Sequence, residues 1–171
     1  MNENDYSNLL ADLFRRFNTE SNEFLIEDFL KTCCPNIASQ IHVLSPKVEA
    51  LKEYIDVQIT EWPSYAIIIE NKVKGAADRE KQISDYIHTK QDAGFSNANI
   101  YVIYINDVDP DTSSWGHFQP QFVTRYVRVG RKQLLTWFEH IYEKYSADTD
   151  SYRDVLKTAI ADLQADLDEQ N

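Results

Sequence analysis

The fold this sequence predicts is an α/β sandwich, a small central mixed sheet flanked by helices. Three observations carry that prediction. Apolar residues recur at helical spacing near the front and again near the back of the chain. Between them stand short β-branched runs, Ile55-Asp56-Val57-Gln58-Ile59 and Ile67-Ile68-Ile69. Further on, Asn99-Ile100-Tyr101-Val102-Ile103-Tyr104-Ile105 is almost continuously apolar, the pattern of a central strand covered on both faces. Strands and helices interleaved in this way form layers around one sheet.

Taken in order, Asp5 or Ser7 is placed to cap a first helix that carries Leu9, Leu10, Leu13, Phe14 and Phe17 along one side. Thr19 or Ser21 is placed to cap a second, with Phe24, Leu25, Phe29, Leu30 and Cys33 on one face and Pro35 breaking it. Ile41-His42-Val43-Leu44 predicts a short strand ahead of Ser45-Pro46. Residues 54–60 and 65–73 predict two strands joined by a turn containing Trp62-Pro63-Ser64. From residue 77 to about 91 the pattern is helical, with Ile83, Tyr86 and Ile87 on one side and Gly94 at its end. A polar loop over 106–116 follows the central strand, then a strand over 122–129. Helices over 131–145, with Leu134, Leu135, Phe138, Ile141 and Tyr142 inward, and over about 151–168, with Val155, Leu156, Ile160, Leu163 and Leu167, close the chain. Residues 1–171 read as one domain, its C-terminal helices starting near 131.

A chain of 171 residues buries roughly 70% of its unfolded surface and needs no disulfide or metal staple. Cys33 and Cys34 are neighbours in a helical run, about 100° apart around the axis, so they suit a buried apolar role in a reducing cytoplasm rather than a bridge. The polar, acidic start Met1-Asn2-Glu3-Asn4-Asp5 excludes a signal peptide, and no apolar run reaches the ~20 residues of a membrane span. The expectation is a soluble, cytoplasmic protein with no membrane partner. His42, His88, His117 and His140 are too scattered for a metal site. Trp62, Trp115 and Trp137 read as packing residues. The absence of a glycine-rich phosphate loop, a G-x-S-x-G elbow or a C-x-x-C pair excludes NTPase, esterase and zinc-finger readings.

The chemistry-bearing residues lie on the two short strands. Side chains alternate along a strand, so Glu70 and Lys72 face one way while Ile69, Asn71 and Val73 face the other. Asp56 on the preceding strand supplies a second carboxylate. Two carboxylates with the carbonyl of Asn71 make an oxygen site for Mg²⁺ (or Mn²⁺), and Lys72 can orient a water or steady a charged transition state. Phosphodiester hydrolysis needs this combination, because a metal both activates water and neutralises charge on the phosphoryl oxygens. Gln82 and Tyr86, four residues apart, share a helical face from which they can reach the lysine or the phosphate. The net charge of −11 opposes a nucleic-acid partner, but the acids concentrate at the ends, seven within 1–30 and seven within 148–171. Lys72, Lys74, Arg79, Lys81 and Lys90 surround the candidate site, and Arg125, Arg128, Arg131 and Lys132 form a second cluster, which together predict a locally basic cleft.

The run Asp56 … Glu70-Asn71-Lys72 … Gln82-Ile83-Ser84-Asp85-Tyr86 resembles the PD-(D/E)XK nuclease superfamily, in the branch with a trailing Q-x-x-x-Y helix. More narrowly it is similar to bacterial proteins reading I-D-I … I-I-E-N-K-I … A-x-D-x-x-x-Q-L-x-x-Y, matched here by Asp78 and Gln82-Ile83. Glu3-Asn4-Asp5-Tyr6-Ser7 resembles that group's E-N-x-x-S helix, with Tyr6 where histidine is frequent, and the likeness covers roughly residues 3–105. The resemblance implies a restriction-endonuclease-like sandwich with a β-meander and a Mg²⁺-dependent nuclease acting on DNA in restriction, repair or defence. It implies Asp56, Glu70, Lys72, Gln82 and Tyr86 as catalytic residues and Asp56, Glu70 and the Asn71 carbonyl as metal ligands. Glu3, or alternatively Glu23, would be the acid of the helical part of the motif, with Glu3 preferred as a further ligand. Lys74, Arg79 and Lys81 are the candidate nucleic-acid contacts, and a homodimer joined through the last helix suits an enzyme that cuts two strands. A second reading keeps the scaffold but makes it a catalytically silent module that binds DNA or a protein partner.

Overall fold

In the computed structural model, which describes residues 1–145 and 152–170, the chain opens with α1 (Glu3–Phe14). Its start is a reciprocal cap: the Asn2 side chain accepts from the Asp5 amide at 2.9 Å, and the Asp5 carboxylate accepts from the Asn2 amide at 2.8 Å. The cap thus lies ahead of the expected Asp5 or Ser7. Asp5 serves as the returning partner, and Ser7 bonds the Glu3 carbonyl instead. A two-stranded hairpin follows, β1 (Phe17–Asn18) and β2 (Glu23–Phe24). The Asn18 side chain turns it by accepting from the Glu20 and Ser21 amides, so Thr19 and Ser21 are turn residues rather than caps. α2 (Leu25–Cys33) begins after Phe24, whose amide is held by Glu27, and α3 (Pro35–Ala38) starts at the proline expected to break the second helix.

The sheet comes next. β3 (Lys47–Lys52), β4 (Ile55–Glu61) and β5 (Tyr65–Asn71) form an antiparallel meander. α4 (Gln82–Asp92) carries the chain across to β6 (Ile100–Ile105), which joins β5 in parallel. After α5 (Thr112–Trp115), β7 (Tyr126–Val129) adds in parallel beyond β6, giving the order β3-β4-β5-β6-β7. α6 (Arg131–Lys144) and α7 (Tyr152–Asp168) follow. The predicted start of the last helix at Ser151 lies outside the described residues.

Four local departures from the sequence reading have physical causes. Residues 41–44 are not a strand. Ile41 and Val43 are buried in irregular chain, while the Glu61 carboxylate holds the Leu44 and Ser45 amides. The edge strand β3 buries only Val48, so its period of two hardly registers in the sequence. α4 starts at residue 82 rather than 77. Asp78 is committed to the Tyr104 hydroxyl and the Asp111 amide, both at 2.9 Å, and Lys81 takes a left-handed φ of 58°. The strand expected from 122 begins at 126, after a single 3₁₀ turn over Gln119–Phe122.

Two apolar layers clamp the sheet. Ile67, Ile69, Val73, Ile103 and Ile105 meet residues of α1, α2, α6 and α7 on one face. Ile68 and Val102 meet Ile83 and Ile87 of α4 and Trp115 of α5 on the other. Every residue of β5 and β6 is buried, as the apolar run of β6 predicted. Leu156 and Leu163, expected in a subunit contact, are fully buried within the chain's own core. Trp115 and Trp137 are core residues, but Trp62, expected in packing, is 70% exposed. Both cysteines are buried and free. No helix among the described residues is long and apolar enough to cross a membrane.

Candidate active site

Antiparallel pairing sets Val57 opposite Ile69, which brings the next residues outward, Asp56 and Glu70, side by side on the α4 face of the sheet. The contact is closed by main chain: the Asn71 amide donates to Asp56 Oδ2 at 2.7 Å. Glu70 is 1% exposed. Its Oε1 accepts from Lys72 Nζ and from Gln82 Nε2, both at 2.8 Å. Among the described residues its Oε2 is buried with no hydrogen-bond partner. Gln82, at the first turn of α4, also donates to the Tyr86 hydroxyl at 2.8 Å and accepts from the Arg79 amide at 3.2 Å. The helix therefore presents a fixed amide to the carboxylate, with its own N-terminus alongside.

Lys72 lies one residue past β5, where it keeps the facing that alternation predicts. Asn71 points the opposite way, donating to the Glu3 carbonyl at 3.0 Å and Ser7 Oγ at 3.1 Å and accepting from the Val73 amide. These bonds anchor the strand end to α1 and leave only the main chain of Asn71 on the Asp56 side. Glu3 Oε1 accepts from the Lys74 and Ala76 amides at 3.3 and 3.2 Å, so it shapes the loop after Lys72. Glu23 pairs with Lys31 at 2.7 Å and takes no part in the cleft. Tyr6 is buried against α7, donating to Asp162 at 2.8 Å.

The electrostatics follow from crowding. Burial pushes the Asp56 carboxyl above its ordinary range, against the pull of the Asn71 amide and the Lys72 ammonium. Burial, then repulsion from Asp56, pushes Glu70 up in turn. Burial alone would lower Lys72, but the Glu70, Asp56 and Glu3 carboxylates outweigh it, so the ammonium is held charged. Burial beside the Glu70 carboxylate pushes the Tyr86 phenol up to about 12. Two crowded carboxyls with one partnerless oxygen form a site that a hard cation would complete. Among the described residues no three His, Cys, Asp or Glu side chains are grouped to hold an ion. Glu3 shares the cleft but spends its Oε1 on the Lys74 and Ala76 amides; Asp56, Glu70, main-chain oxygen and water are the other donors available.

These residues line a cleft of about 600 Å³ together with Glu3, Asn4, Glu53, Tyr54, Arg79, Asp85 and Thr89. Among the described residues this cleft is lined mainly by acids, not the bases expected from the sequence. Glu3, Glu53, Asp56, Glu70 and Asp85 face only Lys72 and Arg79. Of the three expected nucleic-acid contacts, Arg79 lines the cleft. Lys74 instead pairs with Asp162 at 2.7 Å and Asp166 at 2.5 Å on α7, and Lys81 is exposed outside the lining. Lys90 is buried against Glu53 and Gln58. Arg128 and Arg131 are taken up by Asp107 and Asp109. Tyr54, Glu53 and the loop clamp Asp78 are what sequence reasoning missed at the site; a Glu-Tyr pair carries no turn signal, and Asp78 reads equally well as a helix-start acid.

The family model of the PD-(D/E)XK nuclease superfamily matches residues 1–158. No curated protein and no solved structure matches the chain.

Proposed function

This chain belongs to the PD-(D/E)XK nuclease superfamily, and we propose that within it the protein is a Mg²⁺- or Mn²⁺-dependent deoxyribonuclease that hydrolyses phosphodiester bonds. The observation that carries the reading is the buried Glu70 carboxylate next to Asp56: Lys72 and Gln82 are both committed to its Oε1, while its Oε2 has no hydrogen-bond partner among the described residues. Asp56 and Glu70 would hold the cation, joined by the Asn71 carbonyl. When bound, the cation lowers the pKa of a coordinated water towards ~7 and neutralises charge growing on the phosphoryl oxygens. Lys72, kept as an ammonium, donates to the attacking water or to a phosphoryl oxygen. Gln82 fixes the Glu70 rotamer, Tyr86 fixes Gln82, and Arg79 at the rim contacts a neighbouring phosphate.

The test is incubation with plasmid and linear DNA in Mg²⁺, in Mn²⁺ and in chelator, for the wild type and Lys72→Ala. Cleavage that needs the metal and is lost in Lys72→Ala supports the reading; cleavage surviving both chelator and Lys72→Ala rejects it. One observation favours a second reading, a binding module without cutting. Five acids against Lys72 and Arg79 in the cleft lining repel a polyanion while no cation is bound, and such a surface suits a basic protein partner. Calorimetry decides: no Mg²⁺ binding at millimolar concentration favours the silent module.

A further inference from the structure

We propose that Tyr54 is a stacking residue for an unpaired nucleobase beside the scissile phosphodiester, so that the substrate enters as single-stranded nucleic acid. The proposal rests on the nuclease reading of the adjoining cleft. Lys52 pairs with Ile55, leaving Glu53-Tyr54 as a two-residue hairpin loop between β3 and β4. Both loop residues have positive φ, 57° and 65°, as the tight turn of such a hairpin requires, and Leu51 before them has φ 54°. Turns of this kind normally use Asn-Gly, because a side chain in the left-handed region is strained. Strain retained at a cleft edge marks a position kept for what its side chain does.

That side chain is 88% exposed and lines the mouth of the cleft holding Asp56, Glu70 and Lys72. Among the described residues its ring meets no other aromatic ring and its hydroxyl has no hydrogen-bond partner. The turn beneath it is tied down: Lys90, buried on α4, pairs with Glu53 at 3.1 Å and bonds Gln58, which in turn donates to the Lys52 carbonyl at 3.3 Å. A rigid, bare aromatic face two residues from Asp56 suits the π-face of a base, a contact every base can make. In a duplex those faces are covered by neighbouring bases. The lining also offers only Lys72 and Arg79 as cations, too few to follow two phosphate backbones.

Fluorescence anisotropy with labelled oligothymidylate and with a blunt duplex, in Ca²⁺ to hold the strand uncut, tests the proposal. Tyr54→Ala is expected to weaken single-strand binding about 5- to 150-fold, while Tyr54→Phe stays within about twofold and duplex binding is weak and unchanged. Tyr54→Gly guards against a folding artefact: glycine relieves the left-handed strain, so this variant should melt above the wild type yet bind as poorly as Tyr54→Ala. Single-strand binding that survives Tyr54→Ala and Tyr54→Gly, or a duplex that loses as much as the single strand, overturns the proposal. Cleavage in Mg²⁺ by the wild type is scored separately. Tyr54-dependent binding without cleavage removes the catalytic reading alone, and cleavage with Tyr54-independent binding removes this inference alone.

Discussion

Replacing Glu70 by glutamine measures what the buried carboxylate costs the metal-free protein. Glu70 is 1% exposed with one oxygen partnerless. Burial, followed by repulsion from Asp56, raises its pKa from the ordinary 4.5 to about 7. Because the folded-state value is the raised one, the protonated carboxyl's contribution is fully present below the unfolded-state value near ~4.3 and is lost as pH rises through about 7. That displacement corresponds to about 3 kcal/mol. Glutamine keeps a carbonyl for Lys72 and Gln82 but does not titrate, so the stability of Glu70→Gln relative to wild type should climb by about 3 kcal/mol between pH ~4 and ~8. In a chain of this size that is roughly 6–12 °C in Tm. Melts of both proteins in chelator across this range read the difference directly, and other titrating groups cancel. Mg²⁺ should then offset most of that difference at pH ~8, stabilising wild type by about 2.7 kcal/mol at a hundredfold excess over Kd and leaving the variant almost unmoved. A difference that stays flat with pH refutes the burial argument, and equal stabilisation by Mg²⁺ refutes Glu70 as a ligand.

Other perturbations follow from the same geometry. Lys72→Ala should cut cleavage by about 10²–10³ or more, and should also lower the metal-free melting temperature by an amount equivalent to about 1–3 kcal/mol, because Glu70 is left with Gln82 alone; unchanged melting would show that the buried pair contributes nothing. Asp78→Ala frees the Tyr104 hydroxyl and the Asp111 amide, so denaturant melts should report a loss of about 1–3 kcal/mol, and cleavage should fall while calorimetric Mg²⁺ affinity holds. Leu163→Ala should cost about 2–5 kcal/mol without changing the sedimentation coefficient, since that leucine packs inside its own chain; a shift in oligomeric state with little loss of stability would return α7 to an intersubunit role.

What the sequence disclosed depended on how local the governing physics is. The buried strand β6 and the amphipathic faces of α1 and α6 are written in apolar periodicity, so they were readable directly. Alternation along β5 placed Glu70 and Lys72 together against Asn71, and the structure keeps that facing. Positions decided by long-range partners were not readable. Asp78 looks like a helix-start acid until Tyr104 and the Asp111 amide, far along the chain, are known to hold it. Lys74 looks like a phosphate contact until α7 brings Asp162 and Asp166 to it. The edge strand β3 hides because only one of its residues is buried, and Glu53-Tyr54 hides because its conformation runs against its own residue preferences.

The proposed hydrolysis requires a divalent cation bound between two strands. Anomalous diffraction from crystals soaked in Mn²⁺ addresses it most directly. A peak is expected about 2.0–2.2 Å from oxygens of both Asp56 and Glu70, lost in Glu70→Gln crystals treated alike. A cleft that stays free of manganese, or an ion bound away from this pair of carboxylates, would contradict it.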